Sequence, residues 1–315
     1  MDLEPEELRR IARGHYREGR GRQALGCARL AHAVRRYYRE LDVDDELRSL
    51  LDALYYLRRT FVMDQSVSYR LLRYMLWRDL LPRLEVRPLL SASVVFMLIE
   101  EMGACLNELG AYQRASDVLA ICQERISSRK DAVVHSRLAS SVFRQFAFCM
   151  ICCGKEEGLI GYAMEQAQDR DDASQNVIGI ANARALLCLA RGDPKGALCG
   201  VESLIEEVER RIVSSAHPEI IGCSRENYLA LHSGMLFAHA QLRTPSLPDM
   251  LEEFKAREDK CCAQLRLSWP ADLWRIMLEA TESMPSLKAF LSRRATIPMK
   301  ENLADVCADI VRLLM

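Results

Sequence analysis

Apolar residues return every three or four positions along nearly the whole chain, the period of a helix with one buried face. Leu47, Leu50, Leu51, Leu54 and Leu57 form one such stripe; Val201, Leu204, Ile205, Val208 and Ile212 form another. The β-branched clusters, such as Val94-Val95 and their neighbours, sit in stretches too long for strands. The pattern predicts helices over 4–18, 21–40, 44–60, 66–81, 89–109, 112–128, 131–153, 156–170, 173–191, 195–213, 220–243, 247–266, 270–283 and 300–314. Prolines mark the joints. Pro82 and Pro88 are expected to bracket a loop, because proline cannot continue a helix interior. Asp193-Pro194 sets a capping residue before a proline at a helix start.

A short phrase recurs within this pattern. An apolar helix runs into a glycine, a few polar residues come next, and a small residue opens the second helix. Gly19 is followed five residues later by Ala24, Gly110 by Ala115, and Gly192 by Ala197. A looser copy ends at Cys153-Gly154 and restarts at Gly158-Leu159. Taking the small anchors as 24, 115, 158 and 197, the intervals are 91, 43 and 39 residues. The first interval has room for a further, degenerate unit over 44–81. Recurrence of one unit is the signature of a repeat array, in which each helix pair buries a face on its neighbours.

In these residues the chain resembles the tetratricopeptide repeat, whose period is about 34 residues. Ala12, Gly103 and Ala185 match the small position of the family's first helix; Ala24, Ala115 and Ala197 match that of its second. The match covers 5–31, 96–122 and 178–204, and more loosely 139–165. The family's aromatic positions are mostly replaced by aliphatic residues or Cys, and the wide spacing is similar to the expanded repeats of bacterial regulatory proteins. The resemblance implies an all-α fold, a right-handed α-solenoid of antiparallel helix hairpins with a concave groove lined by first helices. It also implies binding of a peptide, a protein segment or a small effector. On this reading residues 1–315 form one array, with 1–88 more divergent and 270–315 a C-terminal cap.

Composition narrows the function classes. Half of the 315 residues are apolar and 28% are charged, ample for a large core. The 43 basic and 44 acidic side chains nearly cancel, so no global charge favours nucleic acid or a membrane surface. The opening Met1 to Arg10 is acidic and polar where a secretory signal would be apolar. No stretch offers the roughly 20 apolar residues a membrane helix needs. The twelve cysteines sit mostly inside apolar helices, as free thiols of a reducing compartment would. The expected location is the cytoplasm.

Position in the repeat picks out candidate binding residues. Arg9, Arg13 and Arg17 share one face of the first helix. The resemblance places Arg9 and Arg13 where some members hold a peptide's terminal carboxylate, which arginine grips with two parallel hydrogen bonds. A solvated arginine face beside Glu6 and Glu7 accounts for the same pattern. Asn182 occupies an inward first-helix position, where an amide offers a donor and an acceptor to an extended peptide. Glu100, Asn107, Glu108 and Arg144 fall on comparable faces, as ordinary surface polarity also would.

Chemistry-bearing motifs are weaker. Cys149-x-x-Cys152, followed by Cys153, has redox or zinc spacing but lies on an apolar helix and lacks a second ligand pair. His232 and His239 stand seven apart, as buried histidines on one helix face do. Gly14, Gly19, Gly21 and Gly26 match no phosphate-binding loop. Trp77, Trp269 and Trp274 suit either an interface or the interior. The expectation is therefore a non-enzymatic binding module with no cofactor or metal, acting as a regulator or adaptor. The alternative is the effector-sensing part of a bacterial transcriptional regulator whose DNA-binding part lies on another chain.

Overall fold

A computed structural model describes residues 4–18, 20–37, 42–60, 71–86, 89–128, 136–170, 177–214, 234–254 with His232 and Ala256, and 301–314. Every regular element among them is a helix, so the chain is all-α over the described residues. The helices are α1 (Pro5–Arg17), α2 (Gly21–Tyr37), α3 (Val43–Thr60), α4 (71–85), α5 (Ala92–Glu108), α6 (Tyr112–Ser128), α7 (Ser136–Cys152), α8 (Glu157–Asp169), α9 (Val177–Ala190), α10 (Pro194–Ser214), α11 (234–242), α12 (247–254) and α13 (Glu301–Leu314). The expected helix at 270–283 lies outside the described residues. No described helix is long and apolar enough to cross a membrane.

Contacts divide the chain into two units. One contains α1–α4, α5 as far as Met102, and α13; the other contains α5 from Gly103 onward and α6–α12. In the first, α2 packs on both α1 and α3, and α13 packs on α4. In the second, α7 packs on α6 and α8, α9 packs on α10, and α9 also reaches back to α7.

The recurring phrase folds into one turn, built three times. Gly110, Gly154 and Gly192 all take positive φ, near 75°, 65° and 74°. Each closes its helix with the same two bonds. The Gly110 amide donates to Asn107 and the next amide, Ala111, to Leu106. Gly154 and Lys155 bond Ile151 and Met150 likewise, and Gly192 and Asp193 bond Leu189 and Cys188. This is the Schellman arrangement, which satisfies carbonyls that a helix end leaves open and favours glycine because the left-handed position crowds a Cβ. Arg243 (φ 53°) forms a fourth, its amide bonding Ala240 and that of Thr244 bonding His239.

Helix period decides which residues past each turn are buried. Ala24, Ala115 and Ala197 are buried, as expected. The looser copy differs: Gly158 is exposed with open space about it, and Ile160 is the buried residue. There the cap is Glu156, two residues past the turn glycine, whereas Ala115 bonds back to Ala111 and Ala197 to Asp193, one residue past it. One added residue moves the whole buried row by one. The first-helix small position is buried in each copy, at Ala12, Gly103, Ala147 and Ala185. At Gly103 a Cβ would stand 2.7 Å from Leu119 Cδ2, so α5 and α6 approach more closely there than alanine permits.

Two further local features depart from the sequence expectation. The helix does not stop before Pro82: α4 continues to Glu85. It does so after a π-helical stretch, Met75–Leu80, in which the Leu81 amide reaches Leu76. The wider turn accommodates a proline that cannot make the usual bond to the preceding turn. The first unit also buries charge. Arg35, 8% exposed, lies between Glu6 of α1 (3.2 Å) and Asp45 of α3 (3.0 Å). Glu46, with its side chain 3% exposed, accepts two hydrogen bonds from the Arg83 guanidinium. Between these pairs His32 is buried, its Nδ1 3.4 Å from the Glu46 carbonyl oxygen. Its Nε2 has no hydrogen-bond partner among the described residues.

Candidate functional site

The residues singled out from the sequence fall in both units. In the first, Arg9 Nε donates to Asp52 Oδ2 at 2.7 Å and Nη1 to Glu6 Oε2 at 3.3 Å. Desolvation pulls the Arg9 pKa down, but Asp52 and Glu6 outweigh it and leave the guanidinium above its ordinary value. Both carboxylates already hold this side chain, so Arg9 serves as a strut between α1 and α3. Arg13 is half exposed and stands 3.5 Å from Glu6 Oε1. The Arg17 side chain lies outside the described residues. Glu6, Glu7, Arg10, Arg13 and Gly14 border an open depression of about 480 Å³ along α1.

Beside these charges stands a tyrosine cluster. Tyr16 lies 5.7 Å from Tyr55 and 5.1 Å from Tyr56 between ring centroids, and Tyr55 meets Tyr56 at 5.7 Å. Burial, and then the negative charge of Asp52, push the Tyr56 phenol up to about 12. A phenol that holds its proton so firmly is a poor acid; it stays neutral, packs and donates. Tyr55 stays 37% exposed at the edge of the cluster. Sequence reasoning missed these rings. Tyr16 was within reach, because it shares a helix face with Arg9 and Arg13, but its pairing with α3 is long-range and leaves no local trace.

In the second unit Arg144 of α7 lies across Gly179 of α9, where a Cβ would come within 2.5 Å of Arg144 Cδ. The bare backbone at Gly179 thus makes room for the arginine stem. Asn182 is one helical turn further along α9 and half-buried, with Oδ1 shielded and without a hydrogen-bond partner among the described residues. Asn107, at the end of α5, has the same kind of shielded Oδ1. Arg144 and Asn182 are therefore carried on two helices that pack together. Glu100 is half-buried and engaged, and the Glu108 side chain lies outside the described residues.

A regularity joins several of these positions. Arg9, Glu100, Arg144 and Asn182 each stand ten residues before the glycine of their own repeat phrase. Arg9 and Arg144 both use that position to reach a neighbouring first helix, α3 and α9 respectively.

The other motifs resolve into packing. Cys149 is buried, and burial pushes its thiol well above the ordinary range; Cys152 and Cys153 are half-buried, and all three are thiols rather than disulfides. A thiol held protonated is neither a ready nucleophile nor a ready metal ligand. His232 packs on Phe254 at 6.4 Å, and His239 Nδ1 lies 3.1 Å from Thr244 Oγ1. No group of three His, Cys, Asp or Glu among the described residues is placed to hold a metal ion. Trp77 is exposed on α4, whereas Trp269 and Trp274 lie outside the described residues.

No protein-family model, curated protein sequence or solved structure matches this chain.

Proposed function

We propose that the chain is a non-catalytic helical-repeat module of tetratricopeptide-like architecture that binds a protein segment along its first helices. The observation that supports this most is the common register of Arg9, Glu100, Arg144 and Asn182 with the turn glycines. In the second unit this register sets Arg144 and Asn182 on two packed first helices, α7 and α9, as a short polar row. Such a row reads the backbone and side chains of an extended partner, while the second helices supply the buried anchors. The right-handed solenoid and its concave groove belong to the same proposal.

Asn182 is the residue to test, because it keeps this register and stands half-buried on α9, one turn from the Arg144 contact at Gly179. The full chain is immobilised and incubated with native cytosol, and co-eluting proteins are identified by mass spectrometry. The expected result is one protein at near-stoichiometric yield, lost with Asn182→Ala while the thermal midpoint falls by no more than about 2–4 °C. A wild-type chain that elutes alone, or a variant that retains the partner, would overturn the assignment. Arg144 is less suited, since its stem fills the space over Gly179 and its loss disturbs packing as well.

A further inference from the structure

The outward stripe of α4 has an unusual composition. Along 71–80 the side chains alternate in pairs: Leu72, Met75, Leu76 and Leu80 are buried, while Arg73, Tyr74, Trp77 and Arg78 are exposed. Trp77 is 63% exposed and Tyr74 40%. A helix face turned only to water is ordinarily built from Glu, Lys and Gln. This one is built from the three residue types that dominate binding hot spots, Trp, Tyr and Arg.

Geometry separates the roles. The Arg78 guanidinium lies 5.0 Å over the Tyr74 ring and donates to the Tyr74 hydroxyl, so these two side chains stiffen one another. Trp77 keeps its indole open. The π-helical Met75–Leu80 carries it on a widened turn, a feature found often at functional positions. Of the carboxylates on this helix, Asp79 pairs with Arg36 at 2.8 Å, and Glu85 is exposed two turns beyond Arg78. Arg73 and Arg78 are both exposed on this stripe, two cations on a chain whose overall charge is −1.

We infer that this stripe is a second interaction surface, distinct from the first-helix row, and that its partner is an acidic protein segment with an apolar pocket for Trp77. Two exposed arginines on the same stripe as an open indole complement carboxylates beside an apolar cleft. A single-stranded nucleic acid fits less well, because stacking platforms need several open rings along a basic groove. Here Arg78 already covers the second ring.

A random dodecapeptide display library, selected against the full chain, supplies the probe. Enriched peptides should combine two or more acidic residues with an aromatic or aliphatic one. Their affinity, read by fluorescence anisotropy, should fall about tenfold or more in Trp77→Ala, and likewise in Arg73→Glu/Arg78→Glu. It should weaken with added salt and be unchanged in Asn182→Ala. Two independent surface variants guard against a loss that reflects unfolding, which circular dichroism would also reveal. The inference is overturned by no enrichment, by enriched peptides lacking acidic residues, or by affinities indifferent to both variants. Single-stranded oligonucleotide binding that is abolished by Trp77→Ala would overturn it in favour of nucleic acid.

Discussion

Arg243 shares a left-handed backbone angle with the three glycines that close the other described turns. Its φ of 53° is left-handed, where a side chain costs about 1–2 kcal/mol. Arg243→Gly is expected to raise stability by about 1 kcal/mol, and Gly110→Ala to lower it by a similar amount. Urea denaturation of both variants checks the pair; an unstabilised Arg243→Gly would mean that the arginine makes contacts worth more than its strain. Gly110, Gly154 and Gly192 were legible as stops because glycine announces a left-handed cap. Arg243 was not, because nothing in an arginine signals positive φ. The candidate polar residues were legible as positions but not as states. That Arg9 is held by Asp52, or that Arg144 drapes over Gly179, depends on partners 43 and 35 residues away, and no periodicity reveals them.

Helix pairing is governed by how closely two backbones can come. Between α5 and α6 the gap is set by Gly103, where even a methyl group would meet Leu119, a fully buried residue. Gly103→Ala is therefore expected to cost about 1–3 kcal/mol through overpacking, despite alanine's better helix propensity. Combined with Leu119→Ala, the substitution should cost markedly less than it does alone, and a double-mutant cycle measures that coupling. Simple additivity would mean that the helices have room to slide apart. The helix spans between breakers were readable from period alone. Pro82 misled, because the rule that proline ends a helix presumes an α-helical turn before it, and α4 provides a π-helical one. The fourth anchor misled for another reason: Gly158 suggests itself by its small size, four residues past Gly154, but the cap there is Glu156 and the buried residue is Ile160.

For the molecule as a whole, an all-helical chain is implied by its pattern, whereas the buried charge network of the first unit could not be read from a set of residues that looks like surface. His32 is the part of that network that responds to pH. Burial pushes its pKa down, against the opposing pull of Glu46 and Asp79, while Arg36 adds to the lowering. Arg83, bound to Glu46, is the further charge in that network. A histidine with a lowered folded pKa contributes stability that is present above its unfolded value of about 6.5 and lost as pH falls below it. Denaturation midpoints are thus expected to drop as pH falls below about 6.5, with a smaller drop in His32→Gln; identical profiles would remove His32 as the cause. The turn after Gly154 carries a different lesson, about how such a chain tolerates change in length. Adding a residue to a helix entrance rotates everything after it by about 100°. At α8 that rotation has been met by exchanging which residues are apolar, Ile160, Ala163, Met164 and Ala167 taking the places that Ala115, Val118, Leu119 and Cys122 hold in α6. Because each turn completes its own hydrogen bonds, an insertion demands new side chains only as far as the next turn. Descendants of this chain can therefore differ in repeat length while keeping the same helix order, and identity between them would fade long before the architecture did.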